Sequence, residues 1–87
     1  MVQELLDLKE ILQHEDYRVC EISYMQMSAQ CKKFDTKFTI EFRRGDGIQW
    51  DKDTYIITSS DDFQSVCVNT RAEVMNLIFF VYHCIAK

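Results

Sequence analysis

The 87-residue chain contains no proline and only two glycines, Gly45 and Gly47. These are the residues that most strongly punctuate a chain, and with so few of them no linker divides it. No repeat or low-complexity tract is present either, so residues 1–87 form one expected domain. Basic charge is scarce: ten Lys and Arg face fourteen Asp and Glu, for a net charge of −4. A DNA-binding domain usually carries a basic footprint, so DNA is not an expected partner. Close cysteine pairs are missing. Cys20, Cys31, Cys67 and Cys84 lie at least eleven residues apart, with no C-x-x-C. A structural zinc site takes paired ligands from one turn, so neither metal nor cofactor is expected.

The longest apolar stretch, residues 74–86, is interrupted by Asn76 and His83. It is too short to cross a bilayer, so no membrane span is expected. The first residues are amphipathic and lack the basic head and apolar run of a secretory leader. The thiols are therefore expected to be reduced, in cytoplasm or nucleus.

The chain does have apolar mass: 47% hydrophobic and 13% aromatic residues. That is enough for a core, although so short a chain has a thin margin of buried surface. Leu5, Leu8 and Leu12, with Ile11 widening the stripe, predict an amphipathic helix over 2–14. Met1, Leu5, Leu8 and Leu12 also fit heptad positions. The stripe thus suits a core-facing helix or the last turns of a coiled coil, as in a piece of a longer coiled-coil protein.

Residues 17–27 are strand-like. Tyr17 and Val19 share one phase, and Cys20, Ile22 and Tyr24 the other, which predicts a bulge or a strand buried on both faces. A polar loop with Gln30, Lys32 and Lys33 should follow. Over 36–43, Phe38, Ile40 and Phe42 alternate with Lys37, Thr39, Glu41 and Arg43, the pattern of a strand with one wet face. Gly45-Asp46-Gly47 predicts a tight turn, with Ile48 and Trp50 starting the return strand. Tyr55, Ile56 and Ile57 resume the apolar pattern, either in that strand after a bulge or in a separate one. Ser59-Ser60-Asp61-Asp62 suits a turn or a helix start. Residues 63–68 fit a strand or a short helix equally.

Thr70-Arg71-Ala72-Glu73 is a capping box, so a closing helix is expected over about 71–86. The expected fold is α+β: an N-terminal helix, a three- to four-stranded antiparallel sheet, and a C-terminal helix packed on one face. Plotted at 3.6 residues per turn, Val74, Leu77, Ile78, Val81 and Ile85 form a sheet-facing stripe. Met75, Phe79, Tyr82 and Ala86 form a second apolar stripe beside it. Phe80 sits among the polar Glu73, Asn76, His83 and Lys87. A surface helix needs an apolar face of only about 100°. Either the first helix covers the surplus, or Phe79, Phe80 and Tyr82 lie in an interface.

Nucleophilic catalysis needs a Cys or Ser, a histidine base and an orienting group. The only histidines, His14 and His83, fall on expected helices, so no enzyme is expected. Cys84 reads as a small core residue, and His14 as a favourable charge at a helix C-terminus. Asp51, Asp53, Asp61 and Asp62 read as solvated turn residues, without a calcium-loop pattern. Arg44-Gly45-Asp46 spells the adhesion tripeptide but is read as turn chemistry. Lys32, Lys33, Lys37, Arg43 and Arg44, with Trp50 and Tyr55 for stacking, keep RNA or anionic lipid as an alternative partner.

Three resemblances bear on function. Leu12-Gln13-His14-Glu15-Asp16-Tyr17-Arg18-Val19-Cys20-Glu21-Ile22, followed by Phe38-Thr39-Ile40-Glu41-Phe42, resembles the helix-into-strand order of RWD-type domains. The likeness is to the globular heads of kinetochore coiled-coil proteins, including the monopolin type. It implies dimerisation and subunit docking without catalysis. Asp51-Lys52-Asp53 with Ile57-Thr58-Ser59-Ser60-Asp61-Asp62-Phe63 resembles the acidic motif of PB1 adaptor domains. That fold needs a helix where residues before 48 read as strand. Glu41-Phe42-Arg43-Arg44-Gly45-Asp46-Gly47 is similar to a segment of kinase-associated C-terminal domains, in which the glycines lead into the final helix. The expectation is a non-enzymatic protein–protein module, self-associating or docking a protein partner through Leu5, Leu8, Leu12, Met75, Phe79, Phe80 and Tyr82.

Overall fold

A computed structural model describes residues 1–32, 37–60 and 65–82, with side chains described through Phe79. The chain opens with α1 (Gln3–His14), whose Leu5, Leu8 and Leu12 are fully buried. Five antiparallel strands follow: β1 (Tyr17–Ser23), β2 (Gln26–Cys31), β3 (Lys37–Arg43), β4 (Thr54–Ser59) and β5 (Ser65–Val68). They lie side by side in chain order, β1-β2-β3-β4-β5, as an unbroken meander. The chain closes with α2 (Arg71–Asn76), which continues as a π-helix over Leu77–Tyr82. The fold is therefore α+β in the expected order, with five strands where three or four were expected.

The additional strands come from two places. The apolar run 17–27 is a hairpin rather than a single strand: the chain turns at Tyr24-Met25 and β2 carries Gln30, which was expected in a loop. Tyr55–Ile57 belong to a separate strand, β4, and 65–68 form β5. Residues 63 and 64 lie outside the described residues. The phase change in β1 is a bulge. Glu21 pairs with Met27 and Ser23 with Gln26, which leaves Ile22 as the extra residue. The alternative of burial on both faces fails, because Cys20, Ile22 and Tyr24 are exposed.

One sheet face carries the core. Tyr17, Met27, Ala29, Cys31, Phe38, Ile40, Phe42, Tyr55 and Ile57 pack there with the three leucines of α1 and with Val74 and Ile78. Both helices cover this face, α1 over β1 and β2, and α2 over β4. Across the sheet, Ser28, Thr39, Thr58 and Ser65 stand in one row on the opposite face, and the Thr58 and Ser65 hydroxyls lie 2.8 Å apart. Among the described residues no helix covers that side, as suits an antiparallel sheet with one wet face.

The turn expected at Gly45-Asp46-Gly47 is instead a ten-residue loop, 44–53, and the expected return strand does not begin at Ile48 and Trp50. Asp46 is the reason. Its carboxylate accepts from the backbone N–H groups of Ile48 (2.8 Å), Gln49 (2.9 Å) and Trp50 (3.4 Å) and winds the loop round itself. Ile48 is left 91% exposed. Gly47 adopts φ +76°, where glycine is the unstrained choice. Gly45 passes so close to the Lys52 backbone that an added Cβ would lie 2.6 Å from the Lys52 carbonyl carbon.

Candidate functional site

The expected interface residues separate into three groups. Leu5, Leu8 and Leu12 have no accessible surface, so the α1 stripe serves the chain's own core and offers nothing to a partner in this fold. Met75 and Phe79 are half-buried at the margin of that core. Phe80 and Tyr82 have side chains outside the described residues.

The closing helix starts as its sequence predicts. The Thr70 hydroxyl accepts from the Glu73 N–H at 3.2 Å. The return arm of the capping box differs: the Glu73 carboxylate accepts from the Thr70 hydroxyl at 2.8 Å rather than from a backbone N–H. Val74 and Ile78, four residues apart, are fully buried against the sheet. From Leu77 onward the winding loosens to i→i+5 hydrogen bonding, so each turn takes in about one more residue. Stripes drawn at 3.6 residues per turn therefore drift out of register. Leu77, placed in the sheet-facing stripe, is only half-buried, and it flanks Ile78 on one side as Phe79 does on the other. Residues 83–86 of the expected helix lie outside the described residues.

Phe79 is partly covered from within the chain. Its ring meets Tyr17 edge-on, centroids 5.9 Å apart and planes at 66°, a favourable quadrupolar arrangement. Burial and the neighbouring Cys31 thiol push the Tyr17 phenol well above its ordinary range, so it stays neutral. Tyr17 has no local sequence link to Phe79, and no pattern in either segment announces the pair. Burial likewise raises the Tyr55 phenol, helped by Glu4.

Several charged residues pair with one another. Arg44 makes a two-pronged contact with Glu4, at 3.0 and 3.2 Å, and its guanidinium lies over the Phe42 ring at 5.3 Å. Glu4 accordingly favours the charged form of Arg44. Arg43 pairs with Glu41 at 3.0 Å, and Lys37 stands at the far end of β3. The residues proposed for a basic face are thus dispersed, and Lys33 lies outside the described residues. Two loop carboxylates are structural, and Asp61 and Asp62 lie outside the described residues. Asp53 accepts from the Gly45 N–H at 2.8 Å, and the three N–H donors hold Asp46 below the usual carboxylate range. The Arg44-Gly45-Asp46 tripeptide is therefore built into its own loop.

Among the described residues, no three His, Cys, Asp or Glu side chains converge on a metal position. Glu10, Ile11, His14 and Glu15 line a shallow cleft of about 260 Å³ beside α1. No helix among the described residues is long and apolar enough to cross a membrane. No protein-family model, curated protein or solved structure matches this chain.

Proposed function

We propose that the chain is a non-enzymatic protein-interaction module whose docking surface is the flank of the closing helix. The observation that supports this reading is the division of labour along 74–79. Val74 and Ile78 are fully buried, while Met75, Leu77 and Phe79 pack against the core yet keep part of their apolar surface in solvent. Adjacent half-buried apolar side chains of this size are typical of contact surfaces. A π-wound segment, which often occurs at functional sites, broadens that flank. The partner is a protein, either a second copy or another chain. The resemblance to RWD-type kinetochore heads belongs to this proposal and rests on element order.

A soluble nitroxide tests the reading directly. In the isolated chain, the methyl signals of Met75 and Leu77 and the ring signals of Phe79 should be broadened more than those of Val74 and Ile78. Equal protection of all five would leave no surface for a partner and reject the proposal.

A further inference from the structure

A second surface, separate from the helix flank, lies at the sheet edge. β1 is an outermost strand of seven residues, and among the described residues no strand pairs with its outer side. Edge strands are commonly protected by proline, lysine or a bulge. Here the strand has neither proline nor lysine, its charged residues are Arg18 and Glu21, the latter 3.3 Å from the Met1 amine, and the bulge comes only at Ile22. The hydrogen-bond phase identifies which backbone groups are open. The Lys32 N–H donates to the Asp16 carbonyl at 3.2 Å, just beyond the Tyr17–Cys31 pair. In an antiparallel ladder, the even residues Arg18 and Cys20 then bond to β2, and Val19 and Glu21 turn their N–H and C=O groups outward.

The surroundings of this edge are apolar. Of the five large hydrophobic residues most exposed among those described, three lie here: Ile22 (53%), Tyr24 (67%) and Leu6 (39%). Leu6 lies on α1, the helix that packs over β1. Val19 is itself only half-buried at the margin of the core.

We propose that the β1 edge pairs antiparallel with the β1 edge of a second copy, about a two-fold axis at Cys20. The two open residues, Val19 and Glu21, are two positions apart. They therefore satisfy each other reciprocally: Val19 of one copy faces Glu21 of the other, and the converse. A two-fold perpendicular to the sheet requires facing residues to share a face, and this register meets that requirement. It joins the two five-stranded sheets into one. Cys20 meets its own counterpart at a non-hydrogen-bonded position, with a Cα separation of about 4.5 Å. A single edge pair buries less than the ~800 Å² per partner of a standard interface, so the dimer is weak and concentration-dependent.

The test uses the whole chain. Sedimentation velocity over rising concentration should show a monomer–dimer equilibrium. Mild oxidation should give a disulfide-linked dimer, since that Cα spacing lies within the disulfide range of about 4.4–6.8 Å. Cys20→Ser should abolish the cross-link, and Cys67→Ser, which removes another exposed thiol, should leave it intact. Cys20→Asp places two carboxylates face to face and should weaken association at least about tenfold, with the circular dichroism spectrum unchanged. A chain that stays monomeric throughout overturns the proposal. So does a dimer that Cys20→Asp leaves intact, since that would locate self-association elsewhere. Sensitivity of such a dimer to Met75→Glu would assign it to the helix flank, so the two readings fail separately.

Discussion

The two helices cover the same sheet face, yet they do so in different ways. α1 is a regular helix of twelve residues with three fully buried leucines and no side-chain cap at Val2. The closing helix has a capped start at Thr70, two fully buried residues, and a change of winding after Asn76. α1 is held by packing along its whole length. The closing helix is held firmly at Val74 and Ile78, and Met75, Leu77 and Phe79 beside them are only half-buried. The leucine stripe of α1 is structural scaffold, although Leu6 and Ile11 on the outer side of that helix stay exposed. The closing helix, which keeps apolar surface at its margin, has something left with which to bind.

The largest test of this contrast is Leu8→Ala. Leu8 is fully buried in the middle of α1, and truncation should cost about 2–5 kcal/mol in urea unfolding. A small domain has only about 5–15 kcal/mol of total stability, so the variant should be marginally folded. Phe79→Ala should cost less, about 1–2 kcal/mol, because the ring is half-buried and forfeits mainly its edge-on contact with Tyr17. If Phe79→Ala proved as damaging as Leu8→Ala, the closing helix would be scaffold in the same sense as α1, and the contrast would fail.

The same contrast shows what the sequence disclosed. The leucine stripe of α1, the alternation of β3 and the capping box at Thr70 were legible because each is local: period 3.6, period 2, and a four-residue hydrogen-bond loop. The hairpin within 17–31 was less so. Its turn, Tyr24-Met25, has neither glycine nor proline, and the bulge at Ile22 mimics a phase error. The loop 44–53 was hidden by its own glycines, which suit a tight turn equally well. Only the three donors captured by Asp46 make it long. The burial of Leu5, Leu8 and Leu12 decided between the two readings of their stripe. The drift of Leu77 out of the sheet-facing stripe was illegible, because a π-helix breaks the period on which such plots depend.

Thr70→Ala sharpens the comparison at the start of the closing helix. It removes the acceptor for the Glu73 N–H and the donor to the Glu73 carboxylate together, and should cost about 1 kcal/mol. Thr70→Ser keeps the hydroxyl and should recover most of that loss. No comparable cap exists at α1, whose Val2 offers no side-chain acceptor.

The smallest expected effect comes from the one ion pair that joins the helices among the described residues. Asp7 on α1 and Arg71 on α2 lie 3.3 Å apart, with side chains 38% and 53% exposed. Solvent screens such a pair, so Asp7→Asn should change stability by less than about 0.5 kcal/mol. The pair still has a local logic. Arg71 is the first residue of α2, where a cation opposes the positive end of the helix dipole, and Asp7 offsets that charge from the neighbouring helix. The cost of Asp7→Asn should therefore shrink towards zero in about 1 M salt, where screening acts within about 3 Å. The cost of Leu8→Ala should not shrink with salt, because removing buried methyl groups involves no charge. A cost for Asp7→Asn that persisted at high salt would mean that the helices depend on each other through packing, which would tie the closing helix to the scaffold more closely than its half-buried flank suggests.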